Sequence, residues 1–222
     1  MSSESRIGPF VSVDVISDVI CPWCYIGKRK LEAVIASFPS LDVHIRWRPY
    51  QLDPNIPPDG LDRYEWLERK LGRDRIEPVH AEIAAIGREV GLNFAFEKIR
   101  RAPNTIDAHR LVRLAKIGGI QNKVVERLFK GYFVEGLDVG NRRVLVELGC
   151  EAGLDRETLE NLFGQRDDIQ SVKEELATTR RLGISGVPFY IFGEDIVVPG
   201  VPSKEVFAAA LAKACEAASP AA

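Results

Sequence analysis

The chain has 222 residues, 45% apolar and 28% charged, with a net charge of −2, which suits one large globular domain or a domain carrying an insertion. So small and scattered a charge gives no global field to attract nucleic acid or an anionic membrane surface. No apolar run approaches the roughly 18 residues of a membrane span, and the N-terminal stretch lacks an apolar core of signal-peptide length. The expected compartment is the cytoplasm, where thiols stay reduced and structural disulfides are rare.

Taken in chain order, FVSVDVIS (Phe10 to Ser17) alternates with Val11, Val13 and Val15 on one face and reads as a strand. Next comes CPWC, placing Cys21 and Cys24 two residues apart, and then GKRK (Gly27 to Lys30), too short for a nucleic-acid patch and read as a solvated helix face. Leu31, Val34, Ile35 and Phe38 keep helical spacing, and LDVHIRWRPY (Leu41 to Tyr50) alternates again as a second strand. Strand, helix and strand in this compass make a βαβ unit with a parallel pair. QLDPNIPPDG (Gln51 to Gly60) is a loop. From Leu61 to about Leu182 the pattern is helical almost throughout, with Asn104, Asn141 and Asp155 at N-cap positions and glycines at the ends. The β pattern returns at VPFYIFGEDIVVPG (Val187 to Gly200), two short apolar runs around GED that read as a hairpin, and Ser203 caps a last helix. The fold class is therefore α/β, with residues 10–55 and 183–218 forming one unit in two halves and 56–182 an inserted helical domain.

The cysteine pair has three readings. A zinc site needs about four ligands. Cys150 and Cys215 each stand alone, and His44, His80 and His109 show no ligand spacing, so no metal is expected. An accidental pair fits poorly with the position between a strand and the helix that follows. There Cys21 meets a helix N-terminus, where the dipole and unpaired N–H groups favour a thiolate. Pro22 suits the first helical position, where its missing N–H costs nothing. Cys24, one turn in, is shielded yet close enough to close a ring. An exposed attacking thiolate beside a shielded resolving thiol is the requirement of disulfide exchange. The other proline of interest, Pro188 after Gly186-Val187, is accounted for on its own by tolerance of proline at an edge or first strand position.

SDVICPWCYIGKRKLE, LDPNIPPDG, PNTIDAHRLVRLA, VERLFKGYFVEGLDVG and GISGVPFYIF together resemble the DsbA family, in particular its FrnE-like subgroup, over nearly the whole chain. The 2-hydroxychromene-2-carboxylate isomerases and kappa-class glutathione transferases are cousins. The resemblance implies a thioredoxin-like fold, split by the helical domain, with Cys21 as nucleophile, Cys24 as resolving thiol and Pro188 as a cis-proline facing them. There its exposed backbone would hold an extended substrate. It also implies that no cofactor is required, that glutathione serves as co-substrate, that partners are disulfide- or thiol-containing proteins or small molecules, and that the chain forms a homodimer. The cousins carry serine where Cys21 stands, so a glutathione-dependent isomerase or transferase using Cys21 without redox cycling is the alternative. Two features depart from the family pattern. Val15 stands where a buried acid is usual, with Asp14 and Asp18 expected on other faces. Trp23 stands where strongly oxidising members have histidine, which implies a less oxidising couple.

Among supporting residues, Trp23 is expected to be exposed beside Cys21 and, with Pro22 and Val187, to line the substrate site. Asn104 reads first as an N-cap with Asp107 at N3, and second as part of a substrate cleft. His109 reads first as a hydrogen-bonded interface histidine, and second as a substrate-side group or the missing proton acceptor. Cys150 falls in a helical stripe and reads as a small buried hydrophobe.

Overall fold

The computed structural model describes residues 10–218. Strand β1 (Phe10–Ser17) buries Val11, Val13 and Val15, and this alternation sets its pairing: it runs parallel to β2 (Asp42–Pro49), with Val13 opposite Ile45 and Val15 opposite Trp47. Helix α1 (Pro22–Ala36) joins the two strands, giving the βαβ unit read from the sequence.

The chain then leaves the sheet. A two-residue strand β3 (Leu61–Asp62) leads into α2 (Arg63–Leu71) and α3 (Arg73–Glu89), and a return strand β4 (Arg101–Ala102) pairs with β3. The expectation of nearly continuous helix fails here, between residues 90 and 105. Gly91, at φ +77°, follows the helix, and although Leu92, Phe96 and Ile99 are buried at helical spacing, the segment forms only a short 3-10 turn at Phe96–Lys98. Strands of two residues are too short to carry an alternation. α4 (Ile106–Ile117) and α5 (Gln121–Lys130) follow, the latter continued by a π-helical turn at Gly131–Glu135, then α6 (Arg142–Glu151), α7 (Arg156–Gly164) and α8 (Asp167–Arg181). Asn141 and Asp155 cap α6 and α7 as the sequence suggests, accepting from Arg143 and Thr158 N–H.

The last segment rejoins the sheet. β5 (Phe189–Phe192) runs antiparallel to β1, with Tyr190 opposite Val15, and β6 (Ile196–Pro199) completes the hairpin around Gly193 to Asp195. The sheet order is β2-β1-β5-β6. Helix α9 (Lys204–Ala218) packs against α1 and β1 through Phe207, Ala210 and Leu211.

The sheet and the helical segment share one continuous apolar core. Tyr25 of α1 stacks on Phe129 of α5 at 4.9 Å between centroids, and Trp47 of β2 meets the same ring edge-on at 6.3 Å. Polar contacts reinforce this junction and correct the reading of GKRK as a solvated face. Lys28 is buried, its ammonium 2.6 Å from Glu32 and 2.8 Å from Glu126 of α5, and the Tyr25 hydroxyl donates to Glu126 at 2.7 Å. A short basic run gives no sign that a carboxylate from a helix about a hundred residues away will cover it.

The outer edge of β2 is covered by a side chain. The Trp47 N–H donates to Gln121 Oε1 at 3.2 Å, and the Gln121 amide donates to the Val112 carbonyl at 3.0 Å. A buried backbone donor on an edge strand is thereby satisfied. Gln121→Ala is expected to cost about 1–3 kcal/mol, because it orphans that N–H. Urea denaturation measures the loss, and an unchanged midpoint would remove this role.

Candidate active site

Cys21 occupies the N-cap of α1, with extended backbone (φ −94°, ψ 110°) and Pro22 at the first helical position. The loop entering the helix is tied by Cys21 N–H to the Asp18 carbonyl and Cys24 N–H to the Cys21 carbonyl, each at 3.0 Å. The helix thus begins at the first cysteine, which stands at the positive end of the helix dipole. The two thiols are close and not bonded to each other. The expectation of an exposed attacking sulfur does not hold: Cys21 is only 2% exposed and Cys24 1%. The segment before β5 lies against Cys21, whose thiol is 3.7 Å from the Val187 carbonyl.

Cys24 is held protonated. Burial is the main cause, and the adjacent Cys21 sulfur adds to it as hydrogen-bond acceptor and as charge, together pushing the Cys24 thiol well above its ordinary value. Opposing donors are in place, since the Ser17 hydroxyl and the Asp18 backbone N–H both point to the Cys24 sulfur. Cys24 is therefore a protonated thiol with hydrogen-bond donors directed at its sulfur.

The Val187–Pro188 peptide bond is cis. Pro188 is buried against α1, its ring 3.3 Å from where a Cβ on Gly27 would stand. The Pro188 carbonyl accepts from Gly200 N–H at 2.8 Å, so the backbone lying against the thiol is that of Val187, not the exposed Pro188 backbone expected from the sequence. A Cβ at Gly27 would also lie 2.1 Å from the Tyr190 hydroxyl. Gly27→Ala, which would favour the helix by propensity alone, is instead expected to destabilise by about 1–3 kcal/mol through overpacking. A denaturation midpoint at or above wild type would contradict the close approach.

The remaining candidate residues divide. Pro22 and Trp23 lie beside the thiols, but Trp23 is half-buried and packs on the core, where the sequence predicts exposure. Asn104 spends both ends of its amide internally, donating to the Ile56 carbonyl at 2.7 Å and accepting from Ile106 N–H at 3.1 Å. It ties the proline-rich loop to the start of α4 one residue before the N-cap, Thr105. Asp107 pairs with Arg110 and Arg142 and takes no part in a cap. His109 is buried with Nε2 2.8 Å from the Tyr50 carbonyl and 3.5 Å from Asp18 Oδ1, matching its reading as a hydrogen-bonded interface histidine. Cys150 is half-buried and packs on the core.

Sequence reasoning undervalued Asp18 and missed Ser17 and Tyr190. Asp18 is buried at 1%, its Oδ2 accepting Leu52 N–H at 2.8 Å. The signal was its place three residues before Cys21, inside the loop that turns into the helix. Tyr190 is recognisable only through the pairing of β5 with β1. Among the described residues, no group of three or more His, Cys, Asp or Glu side chains is arranged to hold a metal ion, and no helix is long and apolar enough to cross a membrane.

Known proteins share this fold. A model of the DSBA-like thioredoxin domain matches residues 12–212. The uncharacterized protein YwbO of Bacillus subtilis (strain 168) is 27% identical over 209 residues, covering 90% of this chain and 96% of its own. The crystal structure of a probable DsbA oxidoreductase from Streptomyces coelicolor superposes with a TM-score of 0.84 at 29% identity, over 96% of this chain and 93% of that one. 2-Hydroxychromene-2-carboxylate isomerase shares the fold at 14% identity, with a TM-score of 0.68 over 93% and 97% of the two chains.

Proposed function

The chain belongs to the DSBA-like thioredoxin domain family, and from that premise we propose that it carries out thiol–disulfide exchange through Cys21 and Cys24. The observation that carries this reading is the sulfur pair at the start of α1, with Cys24 kept protonated by burial and by Cys21 while Ser17 and Asp18 donate to its sulfur. In the reducing direction, the Cys21 thiolate attacks a substrate disulfide. A Cys21–substrate bond forms, the substrate disulfide breaks, and the displaced sulfur leaves as a thiolate that takes a proton from water. Cys24 then gives up its proton to solvent, from which the second substrate thiolate takes one as it leaves, and attacks the Cys21 sulfur. The second substrate thiolate leaves, the protein disulfide forms, and two electrons have passed to the substrate. Read backwards, the same steps oxidise a dithiol.

The pair is itself the redox group, so the reaction calls for no metal or organic cofactor. Glutathione is the proposed co-substrate, and the cytoplasm, where thiols are kept reduced, is the proposed setting. Asn104 and His109 enter as residues that hold the loops around the site, because their polar atoms are engaged there.

Equilibration of the protein with defined ratios of reduced and oxidised glutathione, read by thiol alkylation, tests the proposal. Cys21 and Cys24 should titrate together as one two-electron couple. A pair that does not exchange with glutathione or with a dithiol over hours would overturn it.

A further inference from the structure

We propose that Tyr190 is a positioning residue for the resolving step, its buried hydroxyl supplying an O–H dipole to the Cys24 sulfur as that sulfur becomes a thiolate. The inference rests on the exchange chemistry above.

Three observations carry it. The first is place. Tyr190 pairs across the sheet with Val15, and both are buried, so the two side chains share one face of the sheet and the phenol reaches α1 at Gly27. The second is contact. The hydroxyl lies against Gly27, with Pro188 on the same side. Gly27 is three residues after Cys24 and shares its face of α1. A side chain at 27 would evict the hydroxyl, and the sequence has glycine there. The third is cost. The Tyr190 hydroxyl is fully buried and has no hydrogen-bond partner among the described residues. An unpaired buried hydroxyl is unfavourable, and phenylalanine would fill the same space without it. The ring itself is fixed edge-on to Phe207 at 4.8 Å between centroids, so packing accounts for the ring but not for the oxygen.

The hydroxyl cannot serve as a base. Burial, and then the charges of Cys24 and Cys21, push its ionisation well above the ordinary value for tyrosine, so the phenol keeps its proton. It makes no hydrogen bond to either sulfur in the dithiol form and acts through space, where the low dielectric of the core strengthens a dipole's hold on a charge. Cys21, the Ser17 hydroxyl and the Asp18 N–H also act on Cys24. The unsatisfied donor is a cost borne by the resting protein and recovered when Cys24 ionises. No bond is made or broken at Tyr190, and the electron balance of the exchange is unchanged.

The test reads ionisation and needs no turnover. In a Cys21→Ser background the sulfur neighbour that holds the Cys24 proton is gone. Cys24 is followed there by the 13Cβ shift of labelled cysteine against pH, with Tyr190 or with Tyr190→Phe. The expected result is a Cys24 midpoint higher by about one pH unit in the phenylalanine protein, as for loss of a donor to the charged form, together with a urea midpoint at or above that of the parent. Unchanged Cys24 titration overturns the inference, whatever happens to stability. Should Tyr190→Phe fail to fold, 3-fluorotyrosine at 190 decides instead, since it keeps the ring and strengthens the donor. A lower Cys24 midpoint then supports the role, and an unmoved one overturns it. If wild type does not exchange with glutathione while Tyr190→Phe shifts the midpoint, the exchange reading fails and the electrostatic role stands.

Discussion

Cys24→Ser is expected to accumulate a mixed disulfide on Cys21 and to lower steady-state turnover with a disulfide substrate by at least about 100-fold, since residues acting as a unit lose most of their effect when either is removed. Serine is isosteric enough to keep the hydrogen bonds from Ser17 and Asp18 but cannot supply the second sulfur. The first attack, by Cys21, should still occur once per molecule. Incubation with oxidised glutathione followed by mass spectrometry should show a single glutathione adduct on the Cys24→Ser protein, none on Cys21→Ser/Cys24→Ser, and little on wild type, where Cys24 clears it. The result that sinks redox cycling is a Cys24→Ser enzyme that turns over its natural substrate as fast as wild type. The thiolate of Cys21 alone would then be the working group, as in the isomerase and transferase alternative.

The largest stability effect is expected at Arg110. Its side chain is fully buried on α4, yet all three guanidinium nitrogens donate hydrogen bonds. Nη1 donates to Asp107 at 2.7 Å, Nε to Asp168 at 2.9 Å, and Nη2 to the Leu162 carbonyl and, at 2.8 Å, to the Gln165 carbonyl. One guanidinium thereby fastens α4 to the end of α7 and the start of α8. Arg110→Ala should cost about 3–5 kcal/mol, since it breaks a buried ion pair, takes a donor from the Leu162 and Gln165 carbonyls and leaves a cavity. Arg110→Lys should recover only part, because an ammonium cannot reproduce the planar fork. Arg113→Ala is the control: its partner Glu175 lies 3.1 Å away, but Arg113 is 44% exposed, and such pairs contribute less than about 1 kcal/mol. Urea denaturation of the three variants checks the ordering. Equal losses at 110 and 113 would mean that the buried network carries no special weight.

The central part of the fold was legible because its signals are local. Alternation at Val11, Val13 and Val15, a proline at the first position of α1, and two short runs around GED each declare an element within a few residues. The cysteine pair was legible for the same reason, since spacing and helix position are adjacent in sequence. What escaped depends on distant partners. Lys28 looked solvated until Glu126 arrived from another helix. Asn104 and His109 read first as structural residues and second as site residues, and the structure engages their polar atoms with Ile56, Ile106 and Tyr50. Cys21 looked exposed because nothing near it in sequence could cover it; Val187 does. The position of Tyr190 opposite Val15 exists only once the last hairpin has joined the first strand.

That join has a consequence for how the protein is made. The Cys21 sulfur and the Val187 carbonyl that lies against it are separated by 166 residues, with the whole helical segment between. A chain growing at about 5–20 residues per second therefore leaves the ribosome with its two thiols unsheltered for roughly ten to thirty seconds before their cover is synthesised. The thiols spend that interval against whatever oxidants and disulfides surround them, so a newly made molecule can acquire its oxidation state from its surroundings before β5 closes over Cys21.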